Sequence, residues 1–120
     1  IEKFICRFKN QTNHEIDLKN GIKLIQIIGN NFSDNKYDHL INHNTGFNLS
    51  ILKAKKGLIE DLIFDKPTIL FSQKGTWKVK IEKDEFNINS KDTFSLPLNT
   101  KVSISIDNNE ECFLNCVSKA

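Results

Sequence analysis

Short stretches in which apolar and polar residues alternate, separated by tight polar turns, are the dominant pattern of this chain from residue 46 onward. In the stretch 76–83, Trp77, Val79 and Ile81 alternate with threonine and lysines, and 101–107 repeats the pattern. A period of two residues is typical of a β-strand with one buried face and one face in water. Turn formers recur at roughly eight- to twelve-residue spacing, which favours a β-sandwich or a closed barrel over a helical fold. The predicted strands are 47–54, 58–64, 68–72, 76–83, 85–89, 93–98, 101–107 and 111–118.

The first 45 residues lack the regular strand and turn pattern that begins at residue 46, and they are interpreted as a flank of the same domain. Phe4, Cys6 and Phe8 alternate with other residues in a predicted edge strand. Ser33 is a predicted cap for one or two helical turns. The predicted division of this single domain is 1–45 for strands and a short helical flank, and 46–120 for the barrel.

Composition excludes several classes of protein. The chain has 120 residues, 38% hydrophobic and 27% charged, which is the size and balance of one folded domain. Its apolar runs are too short to cross a bilayer. The net charge is only +2 and Arg7 is the single arginine, whereas nucleic-acid binders concentrate arginine and aromatic residues on a basic face. We therefore expect neither a nucleic acid nor a membrane as a partner.

One tight basic cluster consists of Lys53, Lys55 and Lys56. It is interpreted as a solvated strand end and a turn at Lys56-Gly57.

Three cysteines, Cys6, Cys112 and Cys116, are predicted to be reduced. Cys112 and Cys116 are four residues apart in a predicted strand, so their Cα atoms would lie roughly 13 Å apart, beyond the reach of a disulfide. Buried thiols are the default for such residues.

The N-terminus lacks the charged start, apolar core and small-residue cleavage site of a secretion signal, so the sequence predicts a cytoplasmic location.

Three motifs in the second half of the chain carry a resemblance to a known family. They are Gly75-x-Trp-x-Val-x-Ile, Lys91-Asp-Thr-Phe-Ser-Leu-Pro97 and the turn Asn108-Asn-Glu-Glu. Their order and spacing resemble the second half of a cupin domain, and 46–57 is similar to the strand that enters the first cupin motif. The resemblance implies an all-β fold: a small antiparallel β-barrel, the RmlC-like double-stranded β-helix or jelly roll, with an N-terminal flanking segment.

The resemblance also implies where metal ligands would stand, because cupins carry two histidines and a glutamate ahead of the glycine that matches Gly75, and a third histidine after the proline that matches Pro97. In this chain, Asn99 stands where the second cupin motif has a glycine after that proline. The matching positions hold Leu62 or Ile63, then Phe64 or Asp65, then Thr68 or Ile69, and Val102. Aliphatic and aromatic side chains offer a transition metal no lone pairs. We therefore expect a divergent cupin that lacks the metal-binding histidines, with no metal and no cofactor.

An apolar interior at these positions predicts either a small pocket or a filled core. The predicted pocket lining, where Trp77 is also a candidate for the core or a dimer interface, consists of Leu62, Phe64, Thr68, Trp77, Leu96, Val102 and Ile104. A cavity of some hundreds of Å³ among these residues would favour a binding protein.

No residue is predicted to be catalytic. His14, His39 and His43 precede the barrel strands, and adjacent residues such as Asp38 and His39 point apart in regular structure. Glu60 and Asp61 are adjacent in a predicted strand, so we expect them on opposite faces rather than as an acid–base pair. Polar candidates for the interior are limited to Asp65, Thr68 and Ser72.

Three hypotheses of function remain open. The first is a metal-free cupin-like protein that binds a small, partly apolar ligand in the barrel. The second is a metal-independent enzyme, for instance an isomerase or lyase. The third is a non-catalytic structural homodimer with a filled barrel. Because cupins commonly pair through an N-terminal strand, the resemblance implies a homodimer formed through Phe4, Cys6 and Phe8.

Overall fold

The computed structural model describes residues 15–18, 20–28, 46–64, 66–96 and 98–119, and these residues form eight β-strands and no helix. Alternation of apolar and polar residues accounts for the strands, since it allows one face of each to be buried. The strands are β1 (Glu15–Asp17), β2 (Lys23–Ile28), β3 (Phe47–Ile63), β4 (Thr68–Lys74), β5 (Trp77–Ile81), β6 (Asp84–Ile88), β7 (Thr93–Leu96) and β8 (Lys101–Lys119).

The two long strands, β3 and β8, each take part in both layers of the fold. The half of β3 at 47–54 pairs with 112–119 of β8, and β1, β2, β4 and β7 extend this layer, which we call sheet I. The half of β3 at 56–63 pairs with 101–107 of β8, and β5 and β6 extend that layer, sheet II. All the pairings are antiparallel. The predicted all-β jelly roll is therefore confirmed.

One hydrophobic core joins the two sheets. Leu52, Leu70 and Leu114 come from sheet I, and Val79 and Ile104 come from sheet II, and all five lie in the same buried cluster. A second, smaller cluster of Ile25, Ile27 and Ile51 lies on the opposite face of sheet I. Both faces of sheet I are therefore apolar, whereas an antiparallel sheet commonly buries only one.

The predicted turn at Lys56-Gly57 is wrong, because β3 continues through both residues. A Cβ atom on Gly57 would collide with the carbonyl oxygen of Asn20 and would lie 2.7 Å from Cγ1 of Ile22. The backbone amide of Leu58 donates to that same Asn20 oxygen at 3.2 Å. Glycine is needed here for the close approach of another segment rather than for a change in chain direction.

The chain crosses between the two sheets at two places, and these crossings define two ends of the interior. At one end, β3 of sheet II leads to β4 of sheet I, and β7 leads back to β8. At the other end β4 leads to β5 and β6 leads to β7, while both long strands bend between the sheets. The bend is visible in the register: Ala54 pairs with Cys112 and Lys56 pairs with Asp107, so residues 108–111 form an outward bulge.

Several predicted features fall outside the described residues. These are the edge strand with Phe4, Cys6 and Phe8, the helical turns from Ser33, the three histidines His14, His39 and His43, and Asp65 and Pro97. Of the predicted flank, β1 and β2 are described, and both join sheet I beside β3. The boundary at residue 45 stays a prediction.

Candidate functional site

The end of the interior where β3 leads to β4 holds the positions that the sequence aligned with metal ligands. We call it the mixed end, because one wall is apolar and the other is polar. Leu62 and Val102 are Cα partners on the last residues of β3 and the first residues of β8. Phe64 follows, and its carbonyl oxygen accepts a hydrogen bond of 3.1 Å from the amide of Asn99. These sheet II residues pack in the common core and form the apolar wall, while Leu96 packs in the same core from sheet I, as the Cα partner of Thr68.

The structure removes the one-residue ambiguity in the aligned positions. Leu62 and Phe64 pack in the core, whereas Ile63 between them is 43% exposed on the outer surface. In the same way Thr68 is 2% exposed and Ile69 is 46% exposed. Of the aligned positions that the structure describes, those that point inward are Leu62, Phe64, Thr68 and Val102.

This donor set does not fit a metal ion. Leu62, Phe64 and Val102 have no donor atoms, and a transition metal requires several nitrogen, oxygen or sulfur ligands at bonding distance. Thr68 contributes one hydroxyl, and that hydroxyl donates to the carbonyl oxygen of Lys66 at 2.9 Å. A single neutral hydroxyl cannot hold the ion.

The polar wall of the mixed end belongs to sheet I. Thr68, Ser118 and Asn48 are Cα partners across β4, β8 and β3. Asn48 Nδ2 donates to Ser118 Oγ at 3.5 Å. The adjacent row contains Ser50 and Gln26, which are partners across β3 and β2. These five neutral polar side chains are all at most 7% exposed.

Sequence reasoning missed four members of this wall, namely Gln26, Asn48, Ser50 and Ser118. In 47–51 the polar residues alternate with Leu49 and Ile51, and the simplest interpretation of such a strand puts the apolar face inward. The structure has the reverse: Ser50 shares the inward face of β3 with Leu52, and Ile51 lies in the separate outer cluster. The only sequence signal is that both faces of this strand hold residues suited to burial.

Not all predicted lining residues lie at the mixed end. Ile104 pairs with Val79 in the middle of sheet II, and both are fully buried. Trp77 is two residues beyond Val79, so it stands roughly 13 Å along the strand direction from Val102. Its indole Nε1 donates to the carbonyl oxygen of Lys74 at 3.3 Å. Trp77 is a core residue of the opposite end, and the ligand contacts predicted for the other six residues stay a prediction.

We call this opposite end the closed end, since Gly75, Trp77, Ile106 and Cys112 fill it. Gly75 has φ +93°, and a Cβ atom there would collide with the Sγ atom of Cys112. Ser72 is buried nearby, and its hydroxyl donates to the Gly75 carbonyl oxygen at 2.5 Å. The predicted polar candidate Ser72 thus lies on β4 at the closed end, where it is bonded to the turn that follows, and not at the mixed end.

The interior has little capacity for acid–base chemistry. Among the described residues, no buried side chain is an aspartate, glutamate, lysine, arginine or histidine. In the described part of the chain, the buried titratable groups are the thiols of Cys112 and Cys116, which are free and buried as predicted. Burial raises the pKa of Cys116 to about 12 and also raises the pKa of Cys112. Both thiols are therefore protonated, and poor nucleophiles, at neutral pH.

Outside the barrel, the prediction that Glu60 and Asp61 lie on opposite faces is wrong. Both line an open groove of about 810 Å³ on the outer face of sheet II, whose floor contains Ser103 and Ser105. The pairing of β3 with β8 is irregular between Ile59 and Leu62, and Asp61 has φ +57°. A bulge of this kind interrupts the strict alternation of side chains, so neighbouring residues can share a face.

Comparison with solved structures identifies the fold. No protein-family model matches the chain, and no curated protein matches it. Solved structures do match. Ectoine synthase from P. lautus is 12% identical, with 96% of this chain and 76% of that chain covered and a TM-score of 0.68. An RmlC-like cupin from Shewanella frigidimarina is also 12% identical, with 94% and 87% covered and a TM-score of 0.67.

This chain has the cupin fold. A Cupin 2 conserved barrel domain protein from Salinispora arenicola is a further match, with 12% identity, 91% and 84% covered, and a TM-score of 0.67. The resemblance inferred from the motifs is thus confirmed at the level of the fold. In the described part of this cupin barrel, no group of three or more His, Cys, Asp or Glu side chains could hold a metal ion. The same residues include no helix long and apolar enough to cross a membrane.

Proposed function

We propose that this cupin-fold protein works without a metal and binds a small, partly apolar molecule at the mixed end of the barrel. The observation that carries the proposal is the identity of the inward set, Leu62, Phe64, Thr68 and Val102. These side chains replace the ligand set of a metal-binding cupin with apolar surface and one hydroxyl. The same end retains a wall of neutral hydrogen-bonding groups, and an apolar surface with a few convergent polar groups is typical of a small-molecule site.

The mixed end is closely packed in the described residues, so a ligand has to displace side chains as it binds. Phe64 and Val102 are at most 1% exposed, whereas Leu62 is only partly buried at the edge of the core. Displacing Leu62 costs less than displacing a fully buried residue, because less apolar surface is already removed from water there. We place the route of ligand access beside Leu62.

Two measurements on the purified protein test the proposal. Metal content after incubation with Fe(II), Ni(II) or Zn(II) and dialysis should stay well below one ion per chain. A thermal-shift screen with small acids, amides, alcohols and sugars should find molecules that raise the melting temperature, since a ligand that binds only the folded state stabilises it. A stoichiometric ion would show that the metal part of the proposal is wrong.

Paired substitutions locate the site of any molecule found in the screen. Leu62→Phe enlarges an inward side chain at the proposed access route, and we expect it to weaken binding. Ile63→Phe enlarges the adjacent exposed side chain and serves as the control. Equal effects of the two substitutions would place the binding site elsewhere.

A non-catalytic structural homodimer is a second candidate, and a separate observation favours it. The outer face of sheet I carries exposed Phe47 and Ile69 next to partly buried Leu49, Phe71 and Val117. A continuous apolar face of this kind is common in subunit interfaces. If this candidate is right, sedimentation analysis shows a dimer, Ile69→Lys converts it to a monomer, and the screen finds no ligand.

A cytoplasmic location also remains part of the proposal.

A further inference from the structure

The open groove of about 810 Å³ on the outer face of sheet II has charges of opposite sign on its two sides. Glu60 and Asp61 line it from β3, Lys80 lines it from β5, and Ser103 of β8 lies on the floor between them. We propose that this groove binds a small zwitterion, with the ammonium group of the ligand toward the two carboxylates and its carboxylate toward the lysine. The groove lies outside the barrel, so the proposal is independent of the ligand of the mixed end.

The bulge in β3 brings two carboxylates to the same side of the groove. The pairing of β3 with β8 has one extra residue in β3 between Ile59 and Leu62, so Glu60 and Asp61 together stand opposite Ser103. Neighbouring carboxylates repel each other, and in the described part of the chain neither of these two forms an ion pair. An ammonium group between them would relieve that repulsion.

The opposite side of the groove has lysines that are available to an anion. Lys80 is the Cα partner of Ser103 on β5, and Lys101 lies on the same face of β8 as that serine. Among the residues that the structure describes, neither lysine forms an ion pair. Lys78 is different, because its Nζ atom lies 3.9 Å from a carboxylate oxygen of Glu85. A ligand carboxylate is therefore expected beside Lys80 and Lys101.

The width of the groove selects the length of the ligand. Neighbouring strands lie about 4.8 Å apart, so β3 and β5, which flank β8, are separated by roughly 10 Å. A charged hydrogen bond takes up about 3 Å on each side, which leaves about 4 Å between the two charges of the ligand. A β- or γ-amino acid matches this separation.

The rest of the lining suits the same class of molecule. The floor holds the hydroxyl groups of Ser103 and Ser105, which can donate to a carboxylate and accept from an ammonium group. Glu82 lines the groove from the turn after β5, and its negative charge disfavours a second carboxylate on the ligand. A molecule with one charge of each sign is thus favoured over a dianion.

Matched probes test the proposal by NMR titration of the full chain, labelled with ¹⁵N. They are γ-aminobutyrate, butyrate, which lacks the ammonium group, butylamine, which lacks the carboxylate, and 6-aminohexanoate, whose charges are further apart. Because an exposed ion pair adds up to about fivefold in affinity, γ-aminobutyrate should bind about fivefold more tightly than either singly charged probe, and more tightly than 6-aminohexanoate. Its binding should shift the amide signals of Ser103 and Ser105, and added salt should weaken it.

Two outcomes of this titration would overturn the proposal. One is equal affinity for γ-aminobutyrate, butyrate and butylamine, which would mean that the two sides of the groove do not act together. The other is the absence of any shift at Ser103 and Ser105 with γ-aminobutyrate.

Variants assign each end of the ligand to one side of the groove. Glu60→Gln combined with Asp61→Asn should remove the preference for γ-aminobutyrate over butyrate and leave butyrate binding unchanged. Lys80→Gln combined with Lys101→Gln should remove the preference over butylamine instead. All four side chains are exposed, so these substitutions leave the core intact.

Controls for these variants are Glu111→Gln and Lys119→Gln, which remove exposed charges outside the groove and should leave all the affinities unchanged. If the controls weaken γ-aminobutyrate binding as much as the groove variants do, the attraction is a general effect of surface charge and the proposal is wrong. It is also wrong if either pair of groove substitutions leaves the preference for γ-aminobutyrate intact.

Discussion

The two ends of the barrel interior are filled by different kinds of side chain. At the closed end, Trp77 is fully buried and Gly75 lies so close to Cys112 that no side chain would fit. At the mixed end, Leu62 is only partly buried, and the wall opposite is built from hydroxyl and amide groups. Close packing of apolar groups stabilises a fold, and buried polar groups do not destabilise it where they are hydrogen-bonded, as Thr68 is to Lys66. The comparison indicates that the closed end depends on apolar packing and that the mixed end combines apolar packing with hydrogen bonds.

Truncating the two ends should therefore have unequal effects. Trp77→Ala should lower the free energy of unfolding by about 3–5 kcal/mol, since it leaves a large cavity in a tightly packed region. Leu62→Ala should cost about 2 kcal/mol or less, because that side chain is partly in water already. Chemical denaturation of both variants measures the difference. Equal losses would mean that the ends are equally packed.

The close contact at Gly75 gives the next largest effect. Gly75→Ala should cost about 2–4 kcal/mol, because the new Cβ atom combines a positive φ with a collision against Cys112. Gly46 is the matched control: it also has a positive φ, +85°, but no atom lies within 4 Å of its Cβ position. Gly46→Ala should cost about 1 kcal/mol from backbone strain alone. If the two variants unfold at the same denaturant concentration, the collision does not matter.

Cys116 lies where the polar wall meets the aliphatic core, and its burial predicts a pH dependence. Its pKa rises from 9.0 to about 12 on folding, so between these values the folded state keeps a proton that the unfolded state releases. Stability from this group is complete below pH 9 and is lost as pH rises toward 12. The slope should be about 1 kcal/mol per pH unit above pH 9. Denaturation of Cys116→Ala at several pH values should show a correspondingly shallower decline, and an unchanged slope would contradict the assignment.

The smallest effect concerns the turn between β6 and β7, at the closed end. Lys91 has φ +74°, and its amide donates to the carbonyl oxygen of Ser72 at 2.7 Å. Lys91→Gly should raise the free energy of unfolding by about 0.5–1 kcal/mol, because glycine adopts this φ without strain. Lys83→Gly, at a residue of the neighbouring turn that does not itself have a positive φ, should lower it slightly. A loss at Lys91 would show that the long side chain matters more than the backbone.

Much of the fold could be predicted because it depends on local patterns. Alternation around Val79 and Ile104 identifies strands, and the motif that begins at Gly75 identifies the cupin fold. The turn at Lys56-Gly57 was wrong because the glycine serves a contact with Asn20, a residue remote in the sequence. A local pattern cannot distinguish these two uses of glycine.

The candidate site was harder to predict. The sequence left one residue of ambiguity between Leu62 and Ile63, and only the pairing of Leu62 with Val102 shows which side chain points inward. Asn48 and Ser50 were missed because the strand that contains them buries its polar face in the main core and its apolar face on the outside of sheet I. A strand that is buried on both sides carries no signal of which face meets the other sheet.

The sequence by itself determined the class of fold, because alternation and turn spacing depend only on residue identity and position along the chain. Only the tertiary structure decided which side chains meet at the mixed end, since the register between strands brings Thr68, Ser118 and Asn48 together from three separate segments. Register is fixed by the packing of the whole core, and a shift of one residue would send each of these side chains to the opposite face.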